Sequence, residues 1–218
     1  VILKPRPEFE LLETVLWRAD RGYFLLEKHL QRLQRSAEYF GFMWDEKAIR
    51  EILKTSAPRA FSANGEGERL LAYRIRLLLN RWGEARVECA PLKPKPHIWR
   101  VALAPEPVNE QDVFLYHKTT NRKAYEQARA SCPECEDVIL WNTRSEITES
   151  TIANVVVRLN GKFYTPPVAC GLLGGVYREH LLERGWIRER VITVEELLKA
   201  EAFYLINSVR GRVRAVLR

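Results

Sequence analysis

Asn160-Gly161 stands between the apolar run Val155-Val156-Val157 and the run Lys162-Phe163-Tyr164. Both turn residues tolerate positive φ, so the dipeptide is the strongest short hairpin signal in the chain. Around it, Asp137–Trp141, Ile187–Ile192, Phe203–Ser208 and the C-terminal segment read as further strands. Helical patterns follow Arg122 (Ala124, Tyr125, Ala128), open over Gly171–Arg178 and run through about Glu183, and cover Val194–Ala200.

The first half mixes the two periods. Phe9–Trp17 reads as a buried strand, Arg21-Gly22 as a turn and Tyr23–Leu26 as a second short strand. Glu27–Phe40 then places Leu30, Leu33, Ala37 and Phe40 on one helical face, with Gly41 as its stop. Asp45 is a cap for a second helix whose face is Ala48, Ile49, Ile52 and Leu53. Ser62–Gly67 is a polar loop, Leu70–Leu79 a strand turning at Gly83 into Arg86–Cys89, and Trp99–Ala104 one more strand. Prolines and acids punctuate Ala104–Asp112, which divides an α+β chain into residues 1–105 and 106–218.

Composition limits what such a chain does. The net charge of +7 is spread without a block of like charges, so no nucleic-acid stripe is expected and a small acidic metabolite suits the excess. No apolar run approaches the ~18 residues of a membrane span. Val1–Pro7 holds two prolines and no signal-peptide pattern, so a cytoplasmic protein is expected, and the missing initiator Met suggests an excised or processed start. Cys132 and Cys135 form a Cys-x-x-Cys, but Cys89 and Cys170 give no second pair at zinc-ligand spacing. Reduced thiols and no metal are the expectation.

Four places invite chemistry. Lys118, in Tyr116-His117-Lys118-Thr119-Thr120-Asn121-Arg122, falls at a strand or loop end at the seam of the two halves. It is either a solvated surface charge or an amine that traps a carbonyl. Glu149 lies among hydroxyls just before a buried strand, a costly place for a carboxylate without a partner. Gly171–Arg178 opens a helix with glycines, which lets backbone N–H groups approach a phosphate, although it matches neither a Walker nor a Rossmann pattern. Arg32 sits beside the apolar stripe of its helix, either snorkelling or aimed into a cleft. Arg74 and Arg76, two apart on one strand, share a face that meets either solvent or a dicarboxylate.

In this chain order the motifs resemble the fold-type IV pyridoxal-phosphate enzymes, which include branched-chain aminotransferases, D-amino acid aminotransferases and aminodeoxychorismate lyases. His29-x-x-Arg32-Leu33 looks like the phosphate-binding arginine motif, Lys118 the cofactor-holding lysine, and Thr148-Glu149 with Asn154 the cofactor-glutamate motif. Gly174-Gly175-Val176-Tyr177-Arg178 sits where the family reads Pro-Gly-Ile/Val-Thr-Arg, and Ser208 at a late phosphate-contacting hydroxyl. Asn121-Arg122 and Asn207-Ser208-Val209-Arg210-Gly211 depart from the aminotransferase pattern toward the lyases. Phe9–Thr14 and His117–Thr120 look most like the lyase half of fused aminodeoxychorismate synthase–lyase proteins.

The resemblance implies a small α/β first domain, a larger barrel-like second domain with flanking helices, pyridoxal 5'-phosphate as cofactor and a homodimer. It also implies an origin as the C-terminal part of a synthase fusion. The activity it implies is conversion of 4-amino-4-deoxychorismate to 4-aminobenzoate and pyruvate, with Lys118 catalytic. Arg32, Glu149, Gly175, Val176, Tyr177 and Ser208 are expected to hold the cofactor. Arg74, Arg76, Arg122 and Arg210 are expected to meet the substrate's carboxylates. A branched-chain or D-amino acid aminotransferase, and an inactive binding domain, stay open as alternatives.

Overall fold

The computed structural model describes residues 9–58, 72–94 and 96–218. The polar loop expected at Ser62–Gly67, the strand start at Leu70 and the opening segment Val1–Pro7 lie outside them.

The first sheet is built on β1 (Leu11–Arg18), whose residues are buried on both faces over Leu11–Glu13. β2 (Gly22–Tyr23) pairs with its end at Trp17 and Arg18. The strand expected to run to Leu26 stops at Tyr23, because Leu25 takes a left-handed conformation, φ 54°, and turns the chain directly into α1 (Leu26–Phe40). Gly41 ends that helix at φ 68°, where a side chain would be strained. α2 (Glu46–Thr55) opens on Asp45, whose carboxylate accepts the Ala48 N–H at 3.0 Å. β3 (Ala72–Leu79) and β4 (Ala85–Pro91) complete the order β2-β1-β3-β4. Leu30, Leu33, Ala37, Ile49 and Leu53 of the two helices bury against Leu11, Ile75, Leu77 and Leu79. Each such aliphatic side chain contributes roughly 1.5–3 kcal/mol, which fixes α1 and everything it carries against β1.

The remaining elements are β5 (Ile98–Leu103), α3 (Lys123–Ala130), β6 (Asp137–Trp141), β7 (Ile147–Ser150), β8 (Asn154–Leu159), β9 (Lys162–Thr165), α4 (Val176–Glu183), β10 (Arg188–Glu189), α5 (Val194–Leu198), β11 (Ala202–Asn207) and β12 (Gly211–Leu217). The second sheet runs β10-β9-β8-β11-β12-β5-β6-β7, and β7 returns to β8 through Glu149 opposite Asn154. Six strands thus close into a barrel filled by Trp99, Val101, Ile139, Val155, Val157 and Leu205. The second sheet begins before residue 105, since β5 pairs in parallel with both β12 and β6.

The β8–β9 hairpin forms as expected, with Asn160 at φ 50° and Gly161 at φ 73°. Of the strand expected over Ile187–Ile192 only Arg188–Glu189 pairs, parallel to β9, because Ile192 dives fully buried into the barrel core. One expectation is overturned. Cys132 and Cys135 are not reduced thiols but a disulfide. The turn after α3 brings them together, since the Arg129 guanidinium draws in the carbonyls of Cys132 and Cys135. No helix among the described residues is long and apolar enough to cross a membrane.

Candidate active site

A cavity of about 400 Å³ opens between the first sheet and the barrel. Every residue nominated from the sequence lines it.

Lys118 reaches it from a segment zipped onto β1. The Leu12 N–H donates to Lys118 O at 3.0 Å, and the Thr120 N–H to Glu10 O at 2.9 Å. Its side chain keeps some surface open to the cavity but is otherwise enclosed by protein. Burial, then the charges of Arg32 and Arg122, push the amine down to about 8, against the pull of Glu13 and Glu149. An appreciable fraction is therefore uncharged near neutrality, as a nucleophile or base requires.

Glu149 sits on β7 at the barrel seam, 4% exposed. Its Oε1 accepts the Tyr125 hydroxyl at 2.7 Å and the Leu173 N–H at 3.0 Å. Among the described residues, Oε2 has only a long contact, 3.4 Å, from Asn154 Nδ2. Burial raises the carboxyl to about 7, although the Leu173 N–H, the Tyr125 hydroxyl and the charges of Lys118 and Arg122 all pull the other way. A cationic ring nitrogen beside Oε2 would restore the ionised form.

α4 begins at Gly175 on the cavity wall. Its first intrahelical bond is Glu179 N–H to Gly175 O, so the amides of Val176 and Tyr177 precede the ladder and suit an anion. A Cβ on Gly175 would overlap Asn154 Oδ1, so only glycine fits here. Asn154 is held by its own amide, which donates to Leu173 O at 2.8 Å. Ser208 follows β11, its hydroxyl 3.3 Å from Thr14 O.

Arg32 carries a partner that the sequence reading missed. Its Nε and Nη2 donate to the two oxygens of Glu13 at 2.8 and 2.6 Å, and Nη1 to Gly174 O at 3.1 Å. His29 Nδ1 lies 2.7 Å from Glu13 Oε2. Burial alone would raise Glu13, but the charges and hydrogen bonds of Arg32 and His29 hold it down at about 2. The guanidinium thus ties β1 to the glycine turn. An acid inside the apolar run Phe9–Trp17 was the available signal. Tyr125 was also missed as a polar group, because its ring fits the helical stripe.

The four candidate substrate arginines differ in surroundings. Arg76 is paired to Glu88 at 2.7 Å. Arg122 donates to Thr151 O and lies over the Tyr125 ring at 4.5 Å. Arg210 is anchored to Lys93 O at 2.6 Å. Arg74 projects from the middle of β3 and is exposed at the mouth.

The amino-transferase class IV family model matches residues 10–216. The chain belongs to this family. It is 32% identical over 220 residues to a candidate aminodeoxychorismate lyase of Schizosaccharomyces pombe, covering 96% of this chain and 90% of that protein. Among solved structures, a candidate amino-acid aminotransferase of Mesorhizobium loti superposes with a TM-score of 0.85 at 35% identity, covering 96% of this chain and all of that one. A candidate branched-chain amino acid aminotransferase of Thermotoga maritima gives 0.83 at 25% identity, covering 96% of this chain and 76% of that one. The fold-type IV architecture expected from the sequence is therefore the fold of the chain, a mixed α+β body with a six-stranded barrel and flanking helices.

Proposed function

We propose that this class IV enzyme is a pyridoxal-phosphate-dependent lyase that converts 4-amino-4-deoxychorismate to 4-aminobenzoate and pyruvate. The family points to pyridoxal phosphate, and the residues fit it. The observation that carries the reading is one cavity holding both a half-buried lysine lowered to about 8 and a buried carboxylate with one oxygen nearly unpartnered. When bound, the cofactor supplies the electron sink for the substrate's carbanion.

This chain's residues then divide the work. The Val176 and Tyr177 amides, Arg32 and Ser208 would hold the phosphate. Glu149 Oε2 would face the ring nitrogen and keep it protonated. Lys118 Nζ, neutral once displaced by the substrate amine, takes the proton from the amine-bearing ring carbon. Loss of that proton and of the enolpyruvyl oxygen bond leaves an aromatic ring and releases pyruvate. Asn121-Arg122 in place of the aminotransferase pattern, and the S. pombe relative, support the lyase over its rival.

The rival is an aminotransferase, which the names of the M. loti and T. maritima relatives favour. Protein supplied with the cofactor is expected to gain a visible absorbance band that Lys118→Ala lacks, and to release pyruvate and 4-aminobenzoate from aminodeoxychorismate. Bleaching of that band by glutamate, with 2-oxoglutarate formed and no pyruvate from aminodeoxychorismate, would establish the aminotransferase instead.

A further inference from the structure

Arg74 and Arg210 reach the cavity from different bodies, one from β3 of the first sheet and the other from the turn between β11 and β12 of the barrel. The other arginines in the wall have partners of their own. Arg32 is bound by Glu13, Arg76 by Glu88, and Arg122 by the Thr151 carbonyl and the Tyr125 ring. Arg210 has a backbone anchor at Lys93 O, and the side chain of Arg74 has no hydrogen bond or ion pair among the described residues. The turn that presents Arg210 is itself pinned. Asn207 Oδ1 accepts the N–H groups of Val209 and Arg210 at 3.1 and 2.8 Å.

Burial and then the charge of Arg74 lower the pKa of Arg210, which puts the two guanidinium groups within reach of one ligand. Like charges brought together across a seam, with no acid between them among the described residues, are relieved by an anion that bridges both. A carboxylate is the matching shape, because its two oxygens accept from planar N–H forks. Arg74 is exposed at the mouth, whereas Lys118 keeps only part of its surface open. A ligand that offers its amine to Lys118 and an anion to this pair must carry the two groups apart.

We propose that Arg74 and Arg210 form the receptor for a carboxylate borne at the end of the substrate remote from its reacting amine. The substrate class is amines with a distal carboxylate, such as a ring acid with the amine opposite the acid. Amino acids whose one carboxylate adjoins the amine, leucine among them, are expected not to span the two sites. The assignment rests on Lys118 as the amine-handling residue, and it gives the positive pair a role that Arg76 and Arg122 do not share.

The test is calorimetric binding of 4-aminobenzoate to the full chain supplied with cofactor, with aniline as the carboxylate-free control. Charge-assisted hydrogen bonds of this kind make Arg74→Gln and Arg210→Gln each weaken 4-aminobenzoate by about tenfold or more. Arg214→Gln, a charge-matched change on the exposed barrel face, is expected to leave binding unaltered, as are all three variants for aniline. Unchanged affinity in Arg74→Gln and Arg210→Gln overturns the proposal, and so does wild-type protein that binds aniline as well as 4-aminobenzoate. The visible band recorded on the same samples separates the two readings. Its absence sinks the cofactor assignment, whereas a normal band with unchanged affinity sinks the arginine pair alone.

Discussion

Replacing Glu149 by glutamine is expected to stabilise the cofactor-free protein while abolishing turnover. Burial lifts the carboxyl from its ordinary 4.5 to about 7, against the Leu173 N–H, the Tyr125 hydroxyl and two cations. Each tenfold change in proton affinity is worth about 1.4 kcal/mol, so holding Glu149 ionised costs about 3 kcal/mol of folding free energy at mildly alkaline pH. Glutamine keeps an oxygen for Tyr125 and Leu173 but sets an NH₂ beside the donor amide of Asn154. That mismatch cuts the net gain to about 1–2 kcal/mol.

The effect has a pH signature. Between pH 4.5 and about 7 the folded chain keeps on Glu149 a proton that the unfolded chain has released. Stability of the parent therefore falls as pH rises through that window and levels off above it, whereas glutamine does not titrate. Urea unfolding of both cofactor-free proteins, at about pH 5 and about pH 8, measures the gap. A variant no more stable than the parent at the higher pH, or a gap of constant size, refutes the reasoning.

Glu13→Gln acts in the opposite direction, since it leaves Arg32 and His29 facing a neutral group, and unfolding at neutral pH becomes easier by about 3 kcal/mol. Because Glu13 is held at about 2, its contribution is whole above pH 4.5 and lost as pH falls through 2, so the gap to the parent closes in acid unfolding curves. Gly175→Ala pushes a methyl into Asn154 Oδ1 and spoils the turn before α4; cofactor titration followed by the visible band is expected to show at least ~10-fold weaker binding. Tyr125→Phe keeps the ring under Arg122 but removes a donor to Glu149, so its carboxyl rises further and the pH–rate limb that reports it moves to higher pH.

Local signals were legible in the sequence. Asn160-Gly161 made its hairpin, Gly41 and Asp45 bounded their helices, and short motifs led to Lys118, Arg32, Glu149 and the Gly175 turn, which the fold gathers around one cavity. What escaped depends on pairing across long separations. Glu13 reads as one polar residue in an apolar run until α1 folds His29 and Arg32 over it. Tyr125 satisfies the helical stripe with its ring, so nothing in the periodicity marks its hydroxyl as a partner of Glu149. Leu25 entered a left-handed turn that an apolar residue does not advertise, which shortened β2. The disulfide at Cys132 and Cys135 needed the turn geometry set by Arg129. Barrel closure needed the parallel pairing of β5 with β12, which no local pattern encodes.

That last pairing orders events during synthesis. β12 lies between β11 and β5, so a ribosome must deliver Gly211–Leu217 before the ring can shut. Until then β5 and β11 each present an open edge, the kind of surface that recruits wrong partners. The turn carrying Ser208 and Arg210 also waits on β12. A nascent chain that already contains Lys118, Glu149 and the glycine turn is therefore not yet a receptor for its cofactor. Stop codons or frameshifts anywhere before Leu217 are expected to yield an aggregating polypeptide rather than a weakened enzyme.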